Sequence, residues 1–497
     1  MDKMDSGLLS GFLGALSFTN LMYCFVGCVL GTFVGVLPGL GPAATSAILL
    51  PLTTYMPPAG AIIMLAGIYY GAMYGGSTTS ILVNVPGEAS SVPTCLDGFQ
   101  MTRKGRAGEA LAIAAIGSFI AGTFGTIALS FMAPALARVA LKFGPPEYFA
   151  LVLFSLTALV GFSEGSLLKG LIAGGVGMLL ACVGLDPLSG KQRLTFGSIT
   201  FTGGMDVIPV LMGLFGVAEV LTSAEEGILH LYEGTLGRLI PRGRELMKGI
   251  YASIQGTISG FVLGLLPGMI PAVTSFLAYD IERRLSKNPQ QFGTGCIEGV
   301  AAPEAANNAT SQAGFIPLMA LGIPTSPTLA IMLAALMMYG LQPGPFLFLH
   351  HADFAWAVIA SMYIGNVILL ILNLPLVGLW ARLCLVPYRF IGPVILGVCL
   401  VGAFSVRNRL FDVVACVGFG ILGYLMKRRH WPTTPLILGI ILGPMLEQSL
   451  RQSLELSGGS PIILLTRPIS ITLIILTAVL LVFIRKVLYK PQFREAT

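Results

Sequence analysis

Charge is what this chain has least of. Only 10% of its 497 residues are Asp, Glu, Lys or Arg, where a soluble globular chain carries about a quarter. With 55% hydrophobic residues and a mean hydropathy of +0.84, it cannot cover a water-facing surface, which excludes a soluble enzyme or a nucleic-acid-binding domain. The four histidines, His230, His350, His351 and His430, all fall outside the middle of apolar runs, so neither a histidine proton relay nor a histidine metal site is expected. The eight cysteines are scattered. Cys24 and Cys28 have helical spacing, but no His or second Cys pair stands nearby, so they read as packing and no metal is expected. No G-x-x-x-x-G-K-[ST] phosphate loop occurs, which excludes ATP hydrolysis by that route. Gly161-Phe162-Ser163-Glu164-Gly165 matches the nucleophile-elbow pattern, but it lies between two helical segments with no base nearby. An intramembrane hydrolase is therefore disfavoured: no catalytic residue and no cofactor is expected. The opening MDKMDSGLLSG has no basic region and no small-residue cleavage site, so no removable signal peptide is expected.

What is abundant is apolar length. Runs of spanning length lie near 20–37, 60–84, 109–133, 147–162, 168–183, 206–222, 249–266, 353–376, 391–405, 410–426 and 469–484. Shorter or interrupted pieces lie near 43–56, 271–279, 302–322, 324–341 and 433–446, and 7–18 reads as an amphipathic lead-in. The expectation is an all-α polytopic membrane protein with about 11 to 14 hydrophobic helices, half-helices included. The 62 glycines suit close helix packing in lipid. The net charge of +6 is explained by basic loops rather than by a nucleic-acid surface. Arg103/Lys104/Arg106, Arg238/Arg242/Arg244/Lys248, Lys427/Arg428/Arg429 and Arg485/Lys486/Lys490 are expected to face the cytoplasm. This places the C-terminus inside and makes the span 109–133 run opposite to 353–376. The expected organisation is a first transmembrane half over 1–222, a cytoplasmic linker over 223–248 and a second half over 249–497. Loops 86–108 and 184–205 are too short to fold alone.

The strongest single signal is internal. GTFVGVLPGLGPAATS at 31–46 returns as GFVLGLLPGMIPAVTS at 260–275, without a gap. Each copy puts a Pro-Gly break inside an apolar run. Matched breaks in two halves point to the binding site of a transporter built from inverted repeats with broken or re-entrant helices. In lipid, irregular backbone survives only where it is buried or lines a cavity. At each break the ending helix offers free carbonyls to a cation, and the restarting helix offers free N–H groups to an anion. Candidate cation-coupling residues are therefore Leu37, Pro38, Leu266 and Pro267. Gly39, Gly41, Thr45 and Ser46, with Gly268, Thr274 and Ser275, are the candidate anion ligands.

Two polar clusters extend that set with neutral hydrogen-bonding groups beside a Gly or Pro break. One holds Ser77, Thr78 and Thr79 and leads to Asn84-Val85-Pro86-Gly87-Glu88. The other holds Asn307, Asn308 and Thr310 and leads to Gly322-Ile323-Pro324-Thr325-Ser326. Such groups suit an organic anion that must be bound and then released, although Ser and Thr also bond within membrane helices. Glu304 is the acid placed to bind a cation or proton, or to cap the helix carrying Asn307 and Asn308. Asp280 and Glu282, before Arg283-Arg284, read as a solvated helix end. Carbonyl oxygens suit Na+ and no titratable cluster is evident, so Na+ coupling is expected ahead of H+.

These blocks carry a resemblance. The segment 31–53, the segment YYGAMYGGSTTSILVNVPGEASSVPTCLDGFQMTRKGRAGEALAIAAIGSF at 69–119, GLLPGMIPAVTSFLAYDIERR at 264–284 and FGTGCIEGVAAPEAANNATSQAGFIPLMALGIP at 292–324 resemble the large membrane subunit of the tripartite tricarboxylate transporters. The likeness covers nearly the whole chain. It implies a bacterial inner-membrane protein that takes up a di- or tricarboxylate by cation-coupled alternating access. It also implies a small membrane subunit and a periplasmic solute-binding protein as partners. Two departures fall in the second half: Met269-Ile270 where the family has a small residue and Gly, and Thr325-Ser326 where it commonly has Gly after Gly-Ile-Pro. A non-carboxylate solute on the same scaffold, or a membrane scaffold without transport, are the competing readings.

Overall fold

The structure, a computed structural model, describes residues 7–37, 40–162, 166–186, 189–226, 236–383 and 388–484, with the backbone alone at 381–383 and 388–391. Pro38, Gly39, Ser163 to Gly165, His230, Cys384, Arg485, Lys486, Lys490 and much of the expected linker lie outside the described residues. Most of the described residues are helical, joined by turns and loops, and the strands among them form one short antiparallel hairpin, β1 (Gly184–Leu185) with β2 (Gln192–Arg193).

The first half begins with α1 (Gly7–Ala15), α2 (Phe18–Val36), α3 (Pro42–Thr53) and α4 (Pro58–Val83). After a 3-10 turn at Ala89–Ser91 come α5 (Val92–Arg103), α6 (Ala107–Ala140), α7 (Pro145–Gly161), α8 (Leu167–Ala181) and α9 (Val207–Glu225), the last with a π-helical stretch at Met212–Val217. The second half holds α10 (Gly243–Gly264), α11 (Pro271–Leu285), α12 (Glu298–Ala313), α13 (Phe315–Leu321) and α14 (Pro327–Met338). It continues through α15 (Ala352–Asn373), α16 (Tyr388–Arg407), α17 (Leu410–Arg428), α18 (Thr434–Leu456) and α19 (Pro468–Phe483). Among the described residues, six helices are long and apolar enough to cross a membrane: α2, α4, α6, α9, α15 and α17. The all-α polytopic class expected from composition is therefore present. The piece expected at 302–322 divides into α12 and α13, and residues 243–248 of the expected linker are helical, as the first turns of α10.

Two helix pairs form the centre, and both are made the same way. A Cβ on Gly27, Gly31 or Gly35 of α2 would fall 2.4, 2.6 or 2.4 Å from the carbonyls of Met64, Ile68 and Ala72 of α4. A Cβ on Gly256 or Gly260 of α10 would fall 2.1 or 2.4 Å from the carbonyls of Ala302 and Ala306 of α12, and one on Gly264 would lie 2.7 Å from the Thr310 Cα. The glycines of the two pairs stand 229 residues apart and their partners 238 apart. Backbones this close exclude any side chain at the crossing. α4 and α12 are buried on every side, the expected state for a helix without a lipid-facing stripe. α4 stops in left-handed backbone at Asn84, φ 58°, and α13, which follows α12, stops at Gly322, φ 73°, again 238 apart, and each is followed by an x-Pro step.

The outer helices cross over between the halves. α6 lies along α10 and α12, and α15 lies along α1, α2 and α4. α7 and α8 pack on α18, while α16 and α17 pack on α9. Large apolar side chains face outward from the periphery, among them Phe18, Val401, Leu410 and Val414, the surface a lipid phase would cover. The basic loops 103–106 and 236–248 meet at one end, where Arg106 pairs with Glu245 and the Gly108 N–H donates to the Leu236 carbonyl.

The glycine contacts are testable. Gly260→Val should destabilise the fold by about 1–3 kcal/mol through overpacking, seen as a lower unfolding temperature in detergent. Gly175→Ala, which meets nothing within 4 Å, should not lower it.

Candidate functional site

Four chain segments begin a helix around one cavity of about 370 Å³. Gly41, Pro42 and Ala43 belong to the start of α3, and Ile270, Pro271 and Ala272 to the start of α11. Ser326, Pro327 and Thr328 open α14, and Pro86 to Ser90 run into the 3-10 turn at Ala89–Ser91 that leads into α5. Tyr69 and Met73 of α4 and Glu219 of α9 complete the wall. Sequence dictates the three proline starts. A proline in the first turn fixes φ at a helical value, and its missing N–H is one that the helix could not use. The helices it opens run for 12, 15 and 12 residues.

Each start leaves backbone N–H groups without an intrahelical acceptor and carries the positive end of the helix dipole. Several such ends aimed at one space form an anion site. Among the described residues, the lining holds no Lys, Arg or His, and the helix starts supply positive potential there from backbone. Two acids are present. Glu219 is paired with Lys427, while the half-buried Glu88 receives the Ser90 hydroxyl and caps the 3-10 turn.

Of the residues singled out in the sequence, Gly41 and Ser326 line the cavity directly. Ser326 caps α14 by accepting from the Leu329 N–H at 3.4 Å, and its hydroxyl lies 3.2 Å from that of Tyr69. Asn84, exposed, caps the end of α4. Several others sit one layer behind and are occupied by packing bonds. Thr45 donates to the Gly41 carbonyl at 3.3 Å, Ser275 to Ala272 at 2.9 Å and Ser77 to Tyr74 at 2.8 Å. Thr310 spans two elements, its hydroxyl oxygen lying 2.8 Å from the Gly260 carbonyl and 2.7 Å from the Thr274 hydroxyl, with one proton to donate between them. Asn308 donates to Ser118 at 2.8 Å. Thr78 is buried within α4, and the buried hydroxyls of Ser46 and Thr79 have no partner among the described residues.

The second break is fully described. Leu265 and Leu266 end α10, Pro267 is buried, and Gly268 takes φ +87°. Its N–H donates to the Thr325 carbonyl at 3.3 Å, which ties the break to the segment opening α14. The Leu37 and Leu266 carbonyls accept from the Leu40 and Met269 N–H groups at 3.3 and 3.2 Å, and each retains a second lone pair. The two departures from the family pattern converge here, since Ile270 and Ser326 face the same space.

Glu304 is fully buried in α12, accepting from Thr94 at 2.5 Å and from the Asn307 amide at 3.2 Å. No basic side chain among the described residues forms an ion pair with it. Glu298, the other acid of this segment, pairs with Lys248 at 3.3 Å, and Asp280 pairs with Arg284 at the exposed end of α11.

Sequence reasoning passed over the prominence of Glu88, Tyr69 and Asp97. Asp97 of α5 is buried and collects the N–H groups of Gly293, Gly295 and Cys296 at 2.7–3.0 Å and the Tyr279 hydroxyl at 2.8 Å. It pins the entry of α12 to the first half. Burial, reinforced by the Asp97 charge, pushes the Cys296 thiol up, so it stays neutral near pH 7. In sequence Asp97 is one acid in a polar segment, and nothing local distinguishes it from a solvated one.

A family model described as "Tripartite tricarboxylate transporter TctA family" matches residues 21–438. An uncharacterized 52.8 kDa protein in the TAR-I ttuC' 3' region of Agrobacterium vitis is 46% identical over 480 residues, 95% of each chain. An uncharacterized protein in the TAR-II ttuC' 3' region of the same organism is 46% identical over 202 residues, 41% of this chain and 84% of its own. No solved structure matches.

The two kinds of polar residue should separate under alanine substitution. Thr310→Ala leaves the Gly260 carbonyl and Thr274 hydroxyl short of a partner, a loss of about 1–3 kcal/mol that should appear as a lower unfolding temperature. Ser326→Ala removes a long cap bond, a loss of about 0.5–2 kcal/mol, and should in addition raise KM for uptake, which Thr310→Ala should change less.

Proposed function

The chain belongs to the tripartite tricarboxylate transporter TctA family, and from that premise we propose that it takes up an organic di- or tricarboxylate across the bacterial inner membrane. The observation that carries this reading is the convergence of four helix starts on a cavity whose described lining holds no Lys, Arg or His. Helix-end N–H groups suit a carboxylate that must also leave. They attract it through partial charges, where a fully buried Arg or Lys pair would hold it more tightly.

In this proposal the two halves are inverted repeats. The 229-residue offset between the glycines of α2 and α10 supports relating the halves to one another, and the opposite directions expected for α6 and α15 support inversion. The substrate sits between the starts of α3, α11, α14 and the turn before α5, and it is exposed alternately to the two sides. A periplasmic solute-binding protein delivers it and a small membrane subunit accompanies this one, as the tripartite family implies. Na+ drives the cycle ahead of H+, held by carbonyls of the breaks, including Leu266, with Glu304 as the nearby buried acid. The C-terminus lies in the cytoplasm.

Uptake by membrane vesicles tests the whole scheme. Labelled citrate, malate and succinate, with glucose as the neutral control, are offered with and without an inward Na+ gradient at fixed pH, and then with a pH gradient in Na+-free buffer. Accumulation of a carboxylate but not of glucose, driven by Na+, is the expected result. Accumulation driven by the pH gradient alone, and lost on Glu304→Gln, would overturn Na+ coupling. Gly268→Ala should abolish accumulation, because φ +87° and a Cβ 2.7 Å from the Ala158 carbonyl together cost several times RT.

A further inference from the structure

An anion drawn to the helix starts meets a carboxylate already in the wall. Glu88 is half-buried at the cavity and caps the turn at Ala89–Ser91, with the Ser90 hydroxyl donating to it. Among the described residues it has no salt-bridge partner, whereas Glu219, across the same cavity, has Lys427. The titratable groups facing Glu88 are the Tyr69 hydroxyl on α4, Glu304 on α12 and Glu219 on α9. None of them can cancel its charge.

The matched position in the second half shows that a cap does not need that charge. Pro86 corresponds to Pro324 and Glu88 to Ser326 at the same 238-residue offset. Ser326 performs the capping with a neutral hydroxyl. The acid is thus an asymmetric addition to an otherwise paired arrangement, placed where an anionic substrate would lie. Two like charges in a desolvated space repel far more strongly than in water. A cation that neutralises Glu88 therefore favours the anion, and by linkage the anion favours the cation to the same extent.

We infer that Glu88 is the coupling carboxylate of this transporter: a carboxylate substrate occupies the cavity only together with a monovalent cation, Na+ or H+, that neutralises Glu88. This rests on the proposed carboxylate site and assigns the coupling to a residue in direct reach of the substrate, ahead of the more deeply buried Glu304. Gln keeps the acceptor oxygen that the Ser90 hydroxyl uses and removes the charge. Asp keeps the charge.

The test uses the full chain in proteoliposomes, with Ala89→Cys as a reporter at the cavity wall and the same protein without that substitution as the labelling background. The rate of maleimide labelling of Cys at position 89 is followed against citrate, malate and succinate. One series varies Na+ at fixed pH, and a second varies pH in Na+-free buffer. At least one probe should protect the reporter. Its half-protecting concentration should fall about ten-fold or more as one of the two cations rises, equivalent to about 1.4 kcal/mol of coupling. The series that responds identifies the cation. Glu88→Gln, and Glu88→Ser as a second neutral cap, should flatten the response to less than about two-fold, while Glu88→Asp retains it. Full cation dependence in either neutral variant overturns the assignment to Glu88 but leaves the cavity as the substrate site. Failure of all three probes to protect the reporter overturns the carboxylate site itself, and the role of Glu88 with it.

Discussion

The backbone contacts of Gly27, Gly31 and Gly35 with α4, repeated by Gly256, Gly260 and Gly264 against α12, are the constraint on which the remaining structure depends. Lipid gives helices no hydrophobic reason to associate, so close van der Waals contact must hold them. Glycine permits the carbonyl-to-Cα approach that makes this contact extensive. Because α2 and α10 lie so tightly on their partners, the chain that leaves each of them must turn within a few residues. The second Pro-Gly break, Pro267-Gly268, sits where that turn occurs. The helix starts that follow, α3 and α11, are thereby directed to the same cavity as the ends of α4 and the segment before α14.

That arrangement also explains how polar groups are tolerated in so apolar a chain. The hydroxyls and amides of α4 and α12 lie on helices with no lipid face, and most find a partner in their own turn or across one helix contact. Desolvation makes an unpaired polar group costly there, so these bonds maintain the packing that shapes the cavity. The residues free to bind are the ones at helix starts, where geometry prevents the backbone from satisfying itself. Ser326 and Glu88 occupy such positions.

Ion pairs follow the same division. Arg193, Asp186, Glu447 and Arg451 form a network at 2.6–2.8 Å that ties the hairpin to α18, and Lys248–Glu298 and Arg467–Glu147 hold helix ends. These pairs lie at the ends of the helices, where water lowers the price of charge. Glu304 and Glu88 stand apart from them, and each is satisfied through hydroxyls or amides. Unpaired acids within membrane helices are rare and mark function by default.

The sequence by itself determined the helical membrane class, the positions of most apolar helices, the paired breaks and the family. Each follows from local hydropathy, from proline and glycine chemistry or from a repeat that can be read along one line. It also identified Glu304 and the polar clusters, because polarity inside an apolar run stands out without any knowledge of neighbours. Only the tertiary structure decided which of those groups face a common space. Thr310 and Asn308 bond across helices, while Ser326 faces the cavity, a difference set by the crossing of α10, α11 and α12 and by the wrapping of α14 against the first half. Asp97 and Glu88 show the same limit from the other side. Each is one acid in the polar segment 86–108, and their roles arise from N–H groups and helix starts contributed by residues far away in the chain. Spacing along the sequence carries no information about such convergence, because contacts between segments some 200 residues apart are fixed by packing and not by local preference.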